Sequence, residues 1–509
     1  MTVQTRSPLP GDSYIPQNEG VRTPESETYV VRSMPAVLGQ RDMTITFIMA
    51  LFLFTKAVSG AAGGPVSLLY LFLGALVFFL PCVVAAVQLA VLLPNEGSLY
   101  NWTLRALNPF WGFFIGLCYW LTGVLACLTA GSAFVTTLQG LNNGWVNQPW
   151  QQGLVIVGLL VVAGVIGLQR MRTTQNIVNG IFVLTLLSVL LVGLAAVVWL
   201  ATGHHSQTNF SDPTGWSINP GNYFLFAIIT LNFIGASGPL NLAGEIRGRG
   251  TVQLSRIIRG HLMWGTPVVI AFYTIVTVSV LIVRGANILQ APILPFEGFT
   301  AVSLALGGIF GDITVICFLA YCVAAILFYS YASARLLMVA GIDRQIPTRF
   351  AKLNKNRVPS FSIIFQVTST VLVVLLIYIL VPAVSNIGGT AANTVSVIYT
   401  VLAAATTLIW TFATAFFFVN LIFLYRQNRV EFLSHRQFPM PVIWLSVVIG
   451  GIACIVTIIA ILVYPWIPQV SSNQWWIIVG GLGLALLILA GVASMVTSGE
   501  AGWEDMDEG

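Results

Sequence analysis

The sequence predicts an all-α integral membrane protein with about twelve transmembrane helices. Of its 509 residues 57% are hydrophobic and only 8% are charged, and the mean hydropathy is +0.88. Soluble domains carry about 25% charged residues, so a chain with so few charges must turn most of its surface to lipid. The apolar runs are uninterrupted and about 20 residues long, which is the length of a helix that crosses a bilayer. Backbone amides in lipid need internal partners, and runs of this length satisfy them as helices rather than as barrel strands.

Polar segments stand at both ends of the chain. Residues 1–42 are polar and contain several prolines, without the short apolar core of a signal peptide. We interpret them as a disordered cytoplasmic tail. Residues 498–509 form a short acidic segment, which we interpret as a solvated cytoplasmic tail.

Hydropathy places twelve spans between these tails. They lie near residues 43–62, 67–93, 109–138, 151–169, 175–201, 221–244, 260–283, 309–339, 360–381, 392–424, 442–463 and 475–497.

The basic residues predict how these spans are oriented. With the N-terminus in the cytoplasm, 20 of the 22 lysines and arginines fall on the inner side, Arg284 alone falls outside, and Lys56 lies within the first span. Short cytoplasmic loops of membrane proteins carry such an excess of positive charge. We therefore expect a multi-pass protein of the cytoplasmic membrane with both termini in the cytoplasm.

Two spans contain residues that interrupt a helix. Residues 54–59 of span 1 lead into the glycine-rich stretch 60–65, and residues 232–239 of span 6 read Asn-Phe-Ile-Gly-Ala-Ser-Gly-Pro. Transporters bind substrate where a span is broken near the membrane midplane. Small residues can also serve close helix packing, and we interpret Gly63 to Pro65 as the end of span 1. In span 6 we favour a functional break, because Pro239 removes an amide and clashes with the carbonyl four residues back.

Lys56 is the one charged side chain that the predicted spans place at membrane depth. A charge at a helix centre costs about 3 kcal/mol on insertion scales, so such residues are usually functional or paired. Snorkelling is the alternative, but Lys56 lies about fourteen residues beyond Asp42, which makes it difficult. A fixed ammonium there could replace a sodium ion or meet a substrate carboxylate, and it would repel cationic substrates.

Several motifs resemble the amino acid–polyamine–organocation superfamily. Residues 93–100 read Leu-Pro-Asn-Glu-Gly-Ser-Leu-Tyr ahead of a third span that opens with Asn-Pro-Phe-Trp-Gly-Phe at 108–113. Span 6 ends in Ala-Gly-Glu-Ile at 243–246, and the end of span 8 starts a patterned string over 333–359. The resemblance covers about residues 38–425. It implies a five-plus-five inverted repeat, with halves at about 43–201 and 221–424 and with spans 1 and 6 broken. Two further helices follow within residues 425–497.

The resemblance also implies a substrate site between spans 1 and 6. The candidate substrate-binding residues are Thr55, Lys56, Ala57, Ser59, Thr122, Gly123, Cys127, Phe233, Ile234, Gly235, Ala236, Ser237, Tyr329 and Thr394. The sequence departs from the family pattern twice. Ser237 stands where many members have an acidic residue, and span 1 carries Lys56 in place of a Gly-x-Gly motif. Lys56 is also the candidate coupling residue.

We therefore expect a secondary active transporter, a permease that moves amino acids or similar small organic solutes by alternating access. The resemblance implies that a driving sodium ion would be held by backbone carbonyls and by hydroxyl side chains of span 8. Residues 321–326 in the middle of span 8 contain no serine, threonine or acid, so we expect sodium-independent transport, by proton coupling or exchange. A transporter of polyamines or organic amines, and a substrate sensor with a transporter fold, are the alternatives.

Two other classes of membrane protein fit the sequence less well. A channel would show a polar-lined pore or a repeated filter sequence. An enzyme would need paired titratable groups or a metal cluster at membrane depth, and we assign all four histidines (His204, His205, His261 and His435) to loops. The six cysteines fall in apolar segments without metal-site spacing, so we interpret them as packing residues. Beyond the substrate and the bilayer we expect no cofactor, metal or nucleic-acid partner, and we leave a homo-oligomer open.

Overall fold

A computed structural model of the protein describes residues 24–142, 144–247, 251–285, 288, 293–380, 391–467 and 470–507. In this part of the chain the fold is all-α, and the only β-type pairing is an isolated bridge between Leu38 and Ile246. Within these described residues, eleven helices and one bent pair are long and apolar enough to cross a membrane, which confirms the predicted count of about twelve.

The spans follow one another in chain order, and we number them 1 to 12. Span 1 is the pair Gln40–Leu51 and Phe54–Ala61, bent by 42°. The others are Val66–Leu92, Pro109–Leu141, Pro149–Gly167, Met171–Ala201, Pro220–Glu245, Val252–Val283, Gly308–Ile342, Ser360–Ile379, Val397–Gln427, Met440–Val463 and Ser472–Thr497. Spans 2, 9 and 12 each contain one π-helical turn, at Ala75–Phe79, Leu376–Leu380 and Trp476–Gly480.

Short helices connect the spans. The longer ones are Glu25–Ser33 ahead of span 1, Ser98–Ala106 between spans 2 and 3, Glu297–Leu306 between spans 7 and 8, and Arg429–Ser434 between spans 10 and 11. The 3-10 turns are Pro213–Trp216, Pro220–Asn222, Leu294–Phe296 and Thr348–Ala351. We call the end of the molecule at which span 1 begins the basic end, because most lysines and arginines lie there.

The predicted tails differ from the structure in part. Residues 1–23 lie outside the described residues, but within the predicted tail Glu25–Ser33 is a helix and span 1 begins at Gln40. At the other end of the chain the last helix continues to Asp507, through most of the predicted acidic tail. Both segments were too polar for hydropathy to mark them as helices.

Burial separates the central spans from the peripheral ones. In the most apolar stretch of spans 3 and 6, 89% of the residues are buried, against 22% in span 12 and 33% in span 9. Span 3 packs against spans 8 and 10, and span 7 packs against the first half of span 1. The broken spans therefore lie in the interior, while spans 9 and 12 present Phe361, Ile364, Leu484, Ile488 and similar side chains on the outer surface, where lipid would lie.

Candidate functional site

The break in span 1 lies at Phe52 and Leu53, whose backbones are extended. Neither residue is glycine or proline. The sequence predicted an interruption of the helix over residues 54–59, but the break precedes that stretch, which is helical. Breaking a helix leaves its last carbonyls without partners. Three tyrosine hydroxyls donate to these carbonyls. The bonds run from Tyr321 to Met49 (3.0 Å), from Tyr329 to Ala50 (2.6 Å) and from Tyr273 to Leu51 (2.7 Å).

The break in span 6 lies where the sequence predicts it. The helix Phe224–Phe233 ends at an extended Ile234, Gly235 has a φ of +106°, and a 3-10 helix runs over Gly238–Glu245. A positive φ of this size strains any residue with a side chain, so the glycine permits the turn. Here the carbonyl of Leu231 accepts a hydrogen bond from Nζ of Lys56 at 3.1 Å. A cation at the C-terminal end of a helix is favoured by the helix dipole.

Lys56 is buried and belongs to the second half of span 1, Phe54–Ala61. Its ammonium has three N–H donors. Within the described residues only the Leu231 carbonyl accepts from it, and no carboxylate pairs with it. A buried charge without a counter-ion is unfavourable, so this group is suited to receive an anion.

The half-helices that begin at the two breaks carry unpaired backbone amides. Among the described residues, those of Phe54 and Thr55 in span 1 and of Gly235, Ala236 and Ser237 in span 6 donate no hydrogen bond. All five residues are buried. Free amides at a helix start attract anions, since the helix dipole is positive there.

Trp410 of span 10 covers the break in span 6. A Cβ atom on Gly235 would lie 2.6 Å from the Trp410 ring, so the ring touches the backbone at this point. The rings of Tyr119 and Tyr329 pack edge-on against Trp410, with centroids 6.0 and 5.8 Å away. The hydroxyl of Ser237 donates to that of Tyr119 at 3.1 Å. These aromatic side chains close the space between spans 3, 6, 8 and 10.

A cavity of about 20 Å³ remains between the two breaks. Its lining residues are Leu53, Lys56, Ala126, Thr129, Ala130, Leu231, Tyr321, Ala325, Tyr329, Thr406 and Trp410. Among them, Thr129 and Thr406 are hydrogen-bonded to each other, with hydroxyl oxygens 3.3 Å apart. A volume of this size holds about one water molecule. The site is therefore contracted, and a solute would enter only after side chains such as Trp410 move.

The predicted site residues divide between this cavity and the surrounding packing. Lys56 and Tyr329 line the cavity, and residues 234–237 form the broken segment beside it. The Thr55 hydroxyl lies 3.4 Å from that of Tyr399. The Ala57 carbonyl faces Thr277 of span 7, and Ser59 lies further along toward the end of the half-helix.

The predicted positions in span 3, and Phe233 of span 6, do not line the cavity. Thr122 bonds its own helix at the Tyr119 carbonyl, and a Cβ atom on Gly123 would overlap the Ser333 hydroxyl of span 8. Cys127 contacts span 8, and Phe233 stacks on Phe79 with ring centroids 4.9 Å apart. Thr394 lies in the helix Ala391–Gln427, but its side chain is outside the described residues.

Sequence reasoning missed several residues that the structure brings to the site. Tyr273, Tyr321 and Trp410 look like packing aromatics in apolar spans. Thr129 lies two residues beyond Cys127 and faces Thr406. The sequence feature that could have indicated the aromatic residues is the hydroxyl or indole N–H group of each side chain, since buried tyrosine and tryptophan usually form a hydrogen bond.

Below the cavity, the basic end is closed by a buried cluster of charges. Arg335 contacts Glu245 and lies 3.6 Å from Glu96, and all three are almost fully buried. Burial raises the pKa of the Glu96 carboxyl, and the Arg335 guanidinium opposes that shift. Arg335, which the sequence analysis counts among the basic residues of the inner side, lies two turns inside span 8. Likewise His261, assigned to a loop, is buried inside span 7. Hydropathy alone does not show that a polar side chain near a span end turns inward.

The helix Glu25–Ser33 packs onto this cluster. Ser26 donates to the Asp343 carboxylate from its amide (2.9 Å) and hydroxyl (3.0 Å), and Glu27 pairs with Arg105 at 2.8 Å. Burial raises the pKa of Asp343 to about 6. Gly244 leaves room for Val30 of this helix, since a Cβ there would overlap it. The N-terminal helix therefore joins the ends of spans 6 and 8 and the connector before span 3.

The comparisons with known proteins agree with this architecture. A family model described as amino acid permease matches residues 42–489. A putative histidine permease of Bacillus subtilis (strain 168) is 23% identical over 350 residues, covering 66% of this chain and 69% of that protein. The gamma-aminobutyric acid permease of the same organism is 24% identical over 351 residues, 64% of this chain and 69% of its own. The amino-acid permease RocE, also from it, is 24% identical over 358 residues, 68% of this chain and 72% of its own.

Proposed function

Because this chain belongs to the amino acid permease family, we propose that it carries amino acids across the cytoplasmic membrane and binds them between the two broken spans. The observation that carries the proposal is the pair of half-helix starts, whose five amides donate no hydrogen bond among the described residues, together with the buried ammonium of Lys56. A carboxylate is the substrate group that this arrangement suits, because amides, dipoles and ammonium all favour an anion.

The charge of Lys56 also sets which amino acids fit. In the described part of the chain no acid faces this ammonium, so a substrate with a net positive charge would meet repulsion in a low dielectric. A zwitterionic or acidic amino acid would supply a carboxylate to the lysine instead. We therefore propose neutral or acidic amino acids as substrates, in preference to basic amino acids and polyamines.

Transport would follow an alternating-access cycle. The present cavity of about 20 Å³ is too small for an amino acid, so the cycle needs a state in which Trp410 leaves Gly235. Release at the basic end further requires that Arg335 part from Glu96 or Glu245 and that the N-terminal helix move. We place this end in the cytoplasm, because cytoplasmic loops carry the excess of basic residues.

Counterflow in proteoliposomes tests the proposal. Vesicles loaded with one unlabelled amino acid at high concentration should take up the labelled form transiently when that amino acid is a substrate. We expect saturable counterflow with neutral or acidic amino acids and none with lysine or arginine. Binding without counterflow would instead indicate a sensor with a transporter fold. Counterflow confined to basic amino acids or polyamines would overturn the role given to Lys56.

A further inference from the structure

A wide groove lies at the basic end, on the outside of the bundle and away from the substrate cavity. Its volume is about 940 Å³, which is large enough for a small organic molecule or a lipid headgroup. Span 7 forms one wall, the ends of spans 1 and 2 form the floor, and the connector after span 10 forms the other wall. The lining residues are Gln40, Val91, Val252, Ser255, Arg256, Arg259, Gly260, Met263, Trp264, Pro267, Ser434, His435 and Gln437.

The wall from span 7 changes character along its length. Arg256 and Arg259 come first, Met263 and Trp264 follow one turn later, and Pro267 lies a turn beyond them. At about 1.5 Å per residue, this face passes from charged to apolar within roughly 16 Å, the scale over which a bilayer passes from headgroup to hydrocarbon. Trp264 is 68% exposed, and tryptophan is enriched at membrane–water interfaces.

The two arginines are exposed and unneutralised in the described part of the chain, and no acidic residue lines the groove. Other arginines at this end behave differently, since Arg105, Arg172 and Arg335 each pair with a carboxylate. The groove is therefore a local excess of positive charge beside an apolar surface.

Buried contacts hold the groove open. Gln88 of span 2 is fully buried, accepts a hydrogen bond from the Gln437 amide at 2.9 Å and contacts the His435 carbonyl. This fixes the connector wall against span 2. At the floor, a Cβ on Gly260 would lie 2.5 Å from the Gln40 side chain, so the glycine lets spans 1 and 7 approach closely.

We propose that this groove binds an anionic phospholipid, with the phosphate and headgroup at Arg256 and Arg259 and an acyl chain along Met263 and Trp264. Basic pockets between membrane helices on the cytoplasmic side recognise anionic headgroups in this way. A zwitterionic lipid offers the same chains, but its headgroup carries a positive charge that meets the two arginines. A soluble phosphate offers the charge without the chain that the apolar stripe would contact.

Native mass spectrometry of the full-length protein tests the assignment. The protein is released from micelles that contain phosphatidylglycerol and phosphatidylcholine in equal amounts. We expect about 30-fold preference for the anionic lipid, or about fivefold for each arginine. Arg256→Gln and Arg259→Gln should each remove about fivefold of that preference, and the double variant should bind both lipids equally.

Arg349→Gln combined with Lys352→Gln is the matched control, because these exposed residues are also three apart at the basic end but lie outside the groove. The control should keep the full preference. Equal loss in the control and the groove variant would overturn the proposal, as would equal retention of both lipids by the parent protein. Thermal stability adds a second measurement on the parent alone. Protection by inorganic phosphate as strong as that by phosphatidylglycerol would assign the groove to a soluble anion and overturn the lipid.

Discussion

The two broken spans stabilise their freed backbone groups by different means. Span 6 breaks at Gly235, shortly before Pro239, and both residues disfavour a continuous helix by themselves. Its freed carbonyl at Leu231 is bonded by the ammonium of Lys56. Span 1 breaks at Phe52 and Leu53, which have no such preference, and its freed carbonyls are bonded by three neutral hydroxyls. One break is local in origin, whereas the other is supported by partners from spans 7 and 8.

This difference has a consequence for the chemistry of the site. Tyrosine hydroxyls occupy the span 1 carbonyls, which leaves these oxygens less able to bind a cation. Lys56 of span 1, which bonds the freed carbonyl of span 6, uses one of its three donors within the described residues. The carbonyls of the span 1 break are therefore suited to a structural role, whereas Lys56 beside the span 6 break is suited to ligand contact. Four predictions test that division, from the largest expected effect to the smallest.

Gly235→Leu should abolish substrate binding without preventing membrane insertion. The φ of +106° strains any other residue by roughly 1–3 kcal/mol, and the new side chain would collide with Trp410. Leucine is favourable in lipid, so the helix should still insert. Binding of labelled substrate to purified protein, together with the yield of monodisperse protein, measures both effects.

Gly158→Leu is the control for that variant, because a Cβ there meets no atom within 4 Å and the position faces outward. It should bind like the parent. If Gly235→Leu binds and transports normally, span 6 does not form the site.

Lys56→Met should lower substrate affinity about 10- to 100-fold and remove concentrative uptake. A hydrogen bond to a charged group contributes roughly 1.5–3 kcal/mol, and the variant also loses the carbonyl bond at Leu231. Uptake by proteoliposomes at a range of substrate concentrations measures the change. Lys352→Met, at an exposed lysine of the basic end, should behave like the parent. Normal concentrative uptake by Lys56→Met would remove the lysine from both binding and coupling.

Tyr273→Phe should lower thermal stability more than Tyr321→Phe or Tyr329→Phe. Its hydroxyl donates to the Leu51 carbonyl and accepts from the Leu53 amide at 3.2 Å, whereas each of the others bonds one carbonyl of the break. A buried group left unpaired costs about 1–3 kcal/mol. Thermal denaturation in detergent ranks the variants, with Tyr29→Phe, at an exposed tyrosine, as control. Three variants as stable as the parent would show that the span 1 break does not depend on these hydroxyls.

Replacing sodium by choline should leave the rate of uptake unchanged. The Met49 and Ala50 carbonyls are bonded by tyrosine hydroxyls, and residues 321–326 add no serine, threonine or acid as a ligand. Lys56 nearby would also repel a second cation. Uptake with and without sodium, at fixed pH and membrane potential, measures the effect. A steep sodium dependence that persists in Lys56→Met would contradict this interpretation and favour a cation site elsewhere.

Much of the fold could be predicted from the sequence alone, because hydropathy is a property of each segment in lipid and needs no tertiary partner. The twelve spans lie close to their predicted positions, and the break at Gly235 follows from backbone chemistry within eight residues. Lys56 could also be recognised from the sequence, because a charged residue is exceptional in a segment that must otherwise be apolar. The structure places it in the cavity lining.

Only the tertiary structure decided the break at Phe52, the inward turn of Arg335 and the helix Glu25–Ser33. Each depends on groups far away in the chain. The break at Phe52 relies on tyrosines more than 200 residues further on, as the bond between Tyr273 and Leu51 shows, and Arg335 meets a carboxylate 90 residues away. A polar tip on an otherwise apolar side chain adds little to the hydropathy of its own span. Its effect depends on which backbone oxygen it reaches after the spans have packed.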